Sequence, residues 1–419
     1  MGGPRRSPHP SFWSSLLLKL GLNTCLAYAS AVTGILASLC SQNAVAQTSN
    51  ESDASWAGMR TSLLPMRPPV SQDAQWIVRS VFSAFAATDA VPVLDASGNW
   101  KHYAPTGGRN NGLEQAYFDL SATRSGWEVA TTLRSDILIS ASRGAVDLVH
   151  AYKQKLKLPD GSNLGVATRE TGLTLAGLRV AHTWSFELAP RQSLQVTGAL
   201  TALSVQSVQR WDVRGRAGHT KADGYSLDAR VLRQNSQKRF SGYGMNHPDG
   251  FGYTADLGVM WTPSDDSFVN ISAVDLFSRA SFSGVATQNA KASTSTKSTD
   301  AQGYVEYKPL ITGRYSSQRV ALRLNPKLGI SGGVRVDWLG SGTQLGARLE
   351  HVANINIPSL WTVMPLTDGF SLQLEAETRF HSFGIGLLHR YGSLMLRTRS
   401  LNLGRSESLG VQAAVNVSF

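Results

Sequence analysis

Cysteine is almost absent from this chain. The 419 residues include only Cys25 and Cys40, and both fall within the first 46 residues, which we predict to be removed as a signal peptide. The mature chain would then have no disulfide, no thiolate nucleophile and no cysteine-ligated metal. A chain without cysteine also crosses an oxidising compartment without mispairing.

Long hydrophobic runs are scarce as well. The main apolar stretch, residues 26–39, is shorter than the ~20 residues that a membrane-spanning helix needs. Mean hydropathy is −0.14 and 42% of the residues are hydrophobic, which is too polar for a helical membrane protein. A β-barrel remains compatible with these values, because its strands alternate apolar and polar residues and so hide a lipid-facing side from such averages.

The N-terminus has the features of an export signal. Arg5, Arg6 and Lys19 precede the apolar stretch, and Ala44-Val45-Ala46 forms a small-residue cleavage site before Gln47. We therefore predict a signal peptide over residues 1–46, cleavage between Ala46 and Gln47, and export through the Sec route. A single transmembrane anchor is the alternative interpretation.

The charge balance is basic. The net charge is +11, and residues 1–46 contain three basic and no acidic side chains, so it falls to +8 after cleavage. For an exported chain this favours anionic partners such as lipopolysaccharide phosphates or acidic solutes, and not nucleic acid. An ordinary basic surface is the alternative.

The last eleven residues, Leu409–Phe419, alternate between apolar and small or polar side chains. This period places one set on each face of a strand, and an aromatic end suits the interfacial girdle of a membrane barrel. The pattern resembles the assembly signal of Gram-negative outer-membrane proteins. The resemblance implies an outer-membrane location and the barrel-assembly machinery as a partner. Its residues are Val411, Ala413, Val415, Val417 and Phe419.

Similar alternation recurs from about residue 113 onward, for example over the eleven residues from Phe370 to Phe380. A membrane strand needs ~9–11 residues, and bacterial barrels have even strand numbers. We predict an all-β fold, a closed antiparallel transmembrane β-barrel of about 14 strands (range about 12–16). A soluble β-sandwich is disfavoured, because it has fewer strands and would not place Trp and Tyr near so many strand ends.

The predicted organisation has three parts: the signal peptide, a flexible N-terminal segment over 47–112 that is a possible plug, and the barrel over 113–419. Within the second part, residues 73–87 fit either an amphipathic helix or an irregular first strand. Three long polar segments, 206–224, 234–250 and 284–302, are predicted to be extracellular loops. The basic stretch 209–221 would contact lipopolysaccharide or be an ordinary solvated loop.

A second resemblance lies in residues 252–263 and 268–276. The first segment contains an aromatic-x-x-Asp-Leu-Gly strand (Tyr253, Asp256, Leu257, Gly258) that ends at Pro263, and the next strand ends in Asp275-Leu276. These segments are similar to fatty-acid-transporter-like barrels. That family implies 14 strands and an N-terminal plug.

Alternation also predicts which charges face the lumen. A charged side chain is tolerated where it faces water or a partner of opposite charge. On the lipid-facing side, Arg or Lys at the midplane destabilises a barrel by ~2–4 kcal/mol. The lumen-facing charges would form either a salt-bridged network that stiffens the barrel or a constriction that selects solutes by charge. The candidates are Arg335, Asp337, Arg348, Glu350, Glu375, Glu377, Arg379, Arg397 and Arg399.

No catalytic, metal or cofactor site is predicted. His381 and Ser382 are adjacent, so on one strand they would point to opposite faces, and the histidines show no metal-binding spacing. The sequence favours a porin-like channel or transporter for small solutes in the outer membrane. The alternatives are an accessory pore or structural component of a polymer or protein export system and, less favoured, a lipid-modifying enzyme.

Overall fold

The computed structural model describes residues 62–222, 224–236, 250–294, 297–299, 305–307, 311–367 and 369–419. The predicted signal peptide, its cleavage site at Gln47 and both cysteines lie outside the described residues. No helix within the described ranges is long and apolar enough to cross a membrane.

Strands dominate the described residues. One α-helix, α1 (Arg143–Gln154), follows the third strand, and short 3-10 turns lie at Val93–Asp95 and Leu403–Arg405. The strands are β1 (Ile77–Thr88), β2 (Asn110–Arg124), β3 (Trp127–Ala141), β4 (Ser162–Ala189), β5 (Gln192–Thr220), β6 (Gly224–Asn235), β7 (Gly250–Ser264), β8 (Ser267–Ser293), β9 (Lys297–Thr299), β10 (Val305–Tyr307), β11 (Ile311–Leu322), β12 (Lys327–Val336), β13 (Thr343–Val352), β14 (Ile355–Thr367), β15 (Phe370–Glu377), β16 (Ser382–His389), β17 (Gly392–Thr398) and β18 (Ser408–Ser418).

Fourteen of these strands close into a barrel. The ring runs β1 to β5, then β7, β8 and β12 to β18, and every neighbouring pair is antiparallel. It closes between the two ends of the chain, with Ile77 opposite Ser418 and Ala87 opposite Ser408. Closure leaves this ring without an unpaired edge, as a hydrocarbon environment requires. The predicted closed antiparallel barrel of 14 strands is confirmed.

The barrel is tall on one side and low on the other. β4, β5 and β8 contain 28, 29 and 27 residues, whereas β15, β16 and β17 contain 8, 8 and 7. β6 prolongs the line of β7 along β5, and β11 prolongs that of β12 along β8. The tall wall therefore rises beyond the ring of fourteen strands.

Two of the predicted extracellular loops are strands of the tall wall. Residues 206–220 belong to β5, 224–235 to β6 and 284–293 to β8, so the predicted loops 206–224 and 284–302 are largely strand. Above the lipid a strand has no need of a continuous apolar face, and its polar sequence resembles that of a loop. Of the third predicted loop, 234–250, residues 237–249 lie outside the described residues.

The outer surface is apolar and rimmed by aromatic rings. Leu200, Ile271, Leu360 and Ile385 are 49–69% exposed on the outer face. Exposed aromatic side chains gather at the rim with the short turns, where His389 also stacks on Phe370. They are Trp76, Trp127, Trp184, Trp261, Tyr391 and Phe419. An apolar band bounded by such a girdle is the surface that a lipid bilayer covers, so the barrel spans a membrane.

Two boundaries differ from the sequence predictions. Residues 77–88 form β1, paired on both sides with β2 and β18, so the barrel begins near residue 77 and not 113, and the helix alternative for 73–87 is wrong. Short apolar runs do not distinguish helix from strand by period alone. The predicted eleven-residue strand from Phe370 ends at Glu377, because Thr378 to His381 turn the chain, with His381 at φ 56°.

Candidate functional site

A cluster of buried charges lies inside the barrel between β3, β8 and β12. The guanidinium of Arg134 contacts Asp275 at 2.6 Å and Asp136 at 2.8 Å. The ammonium of Lys327 lies 2.9 Å from Asp275 and 3.0 Å from Asp136. Buried charges are tolerated when they are paired and hydrogen-bonded, and each of these four side chains is paired with two of opposite charge in the cluster.

A second cluster continues from the first. The carboxylate of Asp256 accepts a hydrogen bond of 2.9 Å from the backbone N–H of Asp275 and one of 2.6 Å from Nε of Arg67. Nη1 of Arg67 lies 3.9 Å from Asp119, which Arg179 contacts at 2.9 Å. We call these two clusters together the ionic network. It crosses the lumen from β12 to β4 and includes Arg67, which precedes the barrel strands.

A backbone irregularity aims both carboxylates inward. The pairing of β7 with β8 shifts register between Ala255 and Leu257, and Asp275 has a left-handed φ of 61°. A bulge re-aims side chains by inserting an unpaired residue, and Asp tolerates this conformation better than most residues. Asp256 and Asp275 are consequently 5% and 0% exposed.

A third cluster of buried charges lies inside the barrel, against the short strands of its low side. The carboxylate of Glu375 contacts Arg397 at 3.0 Å and Arg348 at 3.7 Å, and all three side chains are at most 2% exposed. Glu377, two residues further along β15, accepts hydrogen bonds from the backbone N–H of Phe380 and from the hydroxyl of Ser382. These two hydrogen bonds to Glu377 stabilise the turn between β15 and β16.

The N-terminal segment Ser62–Gln72 runs through the lumen. Near one end, the hydroxyl of Ser62 and the backbone N–H of Leu64 donate to Glu350 of β13. In the middle, the backbone N–H of Arg67 donates to Ser272. Towards the girdled rim, the N–H of Val70 donates to Thr183 at 2.9 Å. The segment therefore obstructs the barrel along much of its length.

Apolar side chains line the lumen above the charges. One cluster, formed by β4, β5, β8 and the β11–β12 connection, includes Leu173, Leu203, Phe282 and Leu324. A second includes Leu63, Leu64, Phe85 and Phe380, and two of its rings, Phe85 and Phe380, meet edge-on at 6.3 Å. The inner surface of the barrel therefore changes from apolar to charged along the barrel axis.

The nine predicted lumen residues divide into two groups. Arg348, Glu350, Glu375, Glu377 and Arg397 are at most 4% exposed inside the barrel. The other four lie near a strand end or in a turn: Arg335, at the end of β12, faces Asp266 at 3.6 Å, Asp337 accepts from the N–H of Gly342, Arg379 contacts Asp89 at 2.7 Å, and Arg399 pairs with Glu407. Selection of solutes by charge stays a prediction for the whole set.

The sequence analysis missed the ionic network. Arg134, Asp136, Arg179 and Asp119 occupy the polar positions of the alternating strands β2, β3 and β4, so the same criterion applied to the first third of the barrel identifies them. Asp256 and Asp275 are the aspartates of the segments with the second resemblance. Lys327 is the first residue of β12 and alternates with the outward Leu328 and Ile330, so the same criterion also identifies it.

His381 and Ser382, adjacent in sequence, have separate surroundings in the structure. The hydroxyl of Ser382 donates to Glu377 at 3.1 Å, and His381 lies in the adjacent turn. Within the described ranges no group of three His, Cys, Asp or Glu residues is arranged to hold a metal ion.

A roof projects over the outside of the barrel. It consists of residues 89–105, α1 and residues 399–407, and these are joined by Val93 N–H to Ser406 O at 2.8 Å and by Tyr103 Oη to Asp147 at 2.5 Å. Trp100 and Val146 pack on Val166 and Ala141. An apolar cavity begins beneath the roof and continues along the outer wall as far as Leu345 and Leu360, with a total volume of about 1130 Å³.

Known proteins similar to this chain were found among solved structures, and not by sequence. No family model and no curated protein matches the sequence. A TodX deltaS2S3 mutant monoaromatic hydrocarbon channel is 9% identical, with 83% of this chain and 91% of that chain covered and a TM-score of 0.42. The Pseudomonas putida toluene transporter TodX is 8% identical (83% and 89% covered, TM-score 0.38), and a Pseudomonas aeruginosa FadL homologue is 12% identical (83% and 90%, 0.36). On its own geometry, the chain is a 14-stranded transmembrane β-barrel of the outer-membrane type.

Proposed function

We propose that this protein is a gated outer-membrane transporter for small, mainly apolar solutes, and that its N-terminal segment closes the lumen at rest. The observation that carries the proposal is the position of Ser62–Gln72 inside the barrel, bonded to Glu350, Asp256, Ser272 and Thr183. An open porin has a water-filled interior, and this interior is occupied.

The aliphatic clusters indicate the class of solute. Leu173, Leu203 and Phe282 on one side and Phe85 and Phe380 on the other point inward and pack in two apolar clusters that form the walls of the lumen. Apolar walls with a few placed polar groups favour the binding of apolar ligands. Polar solutes would lose hydration along these walls without regaining hydrogen bonds, so we expect them to pass slowly.

Export through the Sec route, insertion by the barrel-assembly machinery and contact of the basic wall with lipopolysaccharide complete the proposal. The basic stretch 209–221 belongs largely to the tall wall, and we include lipid A phosphates among its partners because the stretch is strongly basic. Transport, and not catalysis, is proposed for the described residues.

The test is conductance and uptake by the mature chain, residues 47–419. In planar bilayers we expect low conductance from the intact chain and at least a fivefold increase after residues 47–72 are deleted. Cells that produce the intact chain should take up a small monoaromatic hydrocarbon faster than cells without it. A hydrophilic solute of similar size should show little difference.

Point variants test the same closure in a full-length chain, in case the deletion variant does not fold. Arg67→Ala removes the side-chain bond to Asp256 and should raise conductance, whereas Arg67→Lys keeps the charge and should raise it less. High conductance of the intact chain would contradict gating. Equal uptake of apolar and hydrophilic solutes would contradict the solute class, and passage of a polymer would favour the export-pore alternative.

A further inference from the structure

The cavity beneath the roof lies on the lipid-facing side of the barrel wall. Its floor includes Ala86, Glu114 and Ile137, which stand opposite one another on β1, β2 and β3 and so share a face. This face continues through Leu409, opposite Ala86 on β18, and Leu396 on β17, which is 50% exposed to the exterior. The inward neighbours of Ala86 and Glu114, Phe85 and Gln115, are each 2% exposed.

Small floor residues and a folded roof create the space. Alanine occupies positions 84, 86 and 116 on the outer face, where larger side chains would fill the groove. Above them, Val91, Trp100 and Val146 of the roof line the cavity, and Leu401 and Leu403 of the roof remain 97% and 53% exposed. The cavity is thus open towards the band that lipid covers.

One carboxylate interrupts this apolar surface. Glu114 is partly buried, and no hydrogen bond or ion pair to it is present in the described part of the chain. Among the lining residues the one basic side chain, Arg397, points inward to Glu375. A carboxylate at membrane depth is costly and is normally matched by a partner, and here the chain supplies none.

The missing partner must donate hydrogen bonds and reach the groove from the bilayer. A cationic head group complements the carboxylate, and an alkyl tail complements the surrounding aliphatic surface at about 25 cal/mol per Å² of buried area. An anionic head group would gain no ion pair from Glu114. We propose that the groove beneath the roof binds a single-chain amphiphile with a primary ammonium head group, which pairs with Glu114.

Photolabelling tests the site directly. The full mature chain in non-ionic detergent is treated with a twelve-carbon alkylamine that carries a diazirine in its tail, and the labelled peptides are mapped by mass spectrometry. We expect labels in residues 84–86, 114–116 and 137–141 and in the roof. Dodecylamine should compete at least fivefold better than dodecanoate.

Two variants separate charge from shape. Glu114→Gln removes the charge but not the size of the side chain and should lower labelling at least fivefold. Ala86→Phe fills the floor opposite Glu114 and should lower it similarly. Glu187→Gln, an exposed carboxylate near the girdled rim, is the matched control and should label as the parent does. Heat-modified migration on gels verifies that each variant is folded.

Three outcomes would overturn the proposal. Equal labelling by amine and acid probes, or labelling unchanged in Glu114→Gln, would mean that Glu114 recognises nothing. Labels spread evenly over the outer belt would mean that the groove is ordinary lipid-facing surface. Cross-links between two copies of the chain through the groove would assign it to an oligomer interface. None of these outcomes bears on conductance through the lumen.

Discussion

Arg134 and Asp275 form a two-pronged ion pair across the inside of the barrel, with Nη1 and Nη2 at 3.0 and 2.6 Å from the two carboxylate oxygens. They are 141 residues apart in the chain and join β3 to β8. Paired geometry of this kind gives the strongest charge-assisted hydrogen bonds. The pair therefore ties together walls that have no direct strand contact.

Replacing Asp275 should destabilise the barrel strongly. Asp275→Asn removes the charge that Arg134 and Lys327 share, and loss of one partner from a buried pair costs about 3–5 kcal/mol. Urea-induced unfolding in lipid vesicles, followed by tryptophan fluorescence, measures the change. Asp265→Asn, whose exposed carboxylate lies 3.7 Å from Arg191, is the control and should shift stability by less than about 0.5 kcal/mol. Equal effects would show that the buried network contributes no special stability.

The third cluster tests charge selection in the lumen. Glu375 is the carboxylate that both Arg348 and Arg397 contact. In the chain lacking residues 47–72, Glu375→Gln should raise the permeability of chloride relative to potassium by about twofold, because local negative charge is lost. Arg397→Gln should change the ratio in the opposite direction. Reversal potentials in a salt gradient give both ratios, and unchanged values would leave the cluster with a structural role alone.

How much the sequence could predict varies along the chain. The alternation around Leu372, Leu374, Leu394 and Leu396 reflects one lipid-facing and one inward face, so the fold class followed from it. The strand number followed from the length of the alternating region and from the even strand numbers of bacterial barrels. β1 did not, because residues 77–88 include a run of small and apolar side chains that fits either period. Its strand conformation depends on pairing with Ala413 and Phe118, which are distant in sequence.

The candidate sites were harder to predict than the fold. Alternation assigns Glu375 and Arg397 to the inner face, but it does not reveal that Arg67 enters the lumen and reaches Asp256. That contact joins residues 189 positions apart and depends on the path of an irregular segment. The roof and its groove depend likewise on packing between Trp100, Tyr103 and α1, for which no local pattern exists.

The roof should loosen at alkaline pH. Burial raises the pKa of Tyr103 above its usual value of 10.0, and its hydrogen bond to Asp147 adds to the shift. A raised pKa means that the unfolded roof loses the proton first, so this stabilisation is complete below pH 10 and declines as the pH rises above it. Limited proteolysis of residues 89–105 should therefore accelerate between pH 9 and pH 11.

Tyr103→Phe separates that titration from general alkaline damage. The variant has no proton to lose and no hydroxyl to donate to Asp147, so the roof should be cut faster at pH 9 and should respond less to alkali. Tyr391→Phe, at the opposite rim, should retain the parent's pH response. A response unchanged in Tyr103→Phe would mean that another group controls the roof.

Gly346 should not tolerate a methyl group. It lies opposite Trp361 in the pairing of β13 with β14, and a Cβ there would collide with the indole ring of Trp361 and lie 2.5 Å from the carbonyl oxygen of Gly332. Trp361 is 3% exposed and stacks on Phe268 at 6.3 Å, so it has little room to move. Overpacking of this kind costs about 1–3 kcal/mol of unfolding free energy, which the same urea titration measures.

Gly198→Ala is the control, because its Cβ would meet nothing nearer than Trp184 at 3.4 Å. This variant should leave stability within about 0.5 kcal/mol of the parent. If the collision is the cause, Trp361→Leu should abolish the difference between glycine and alanine at position 346, and persistence of that difference would point to the backbone instead.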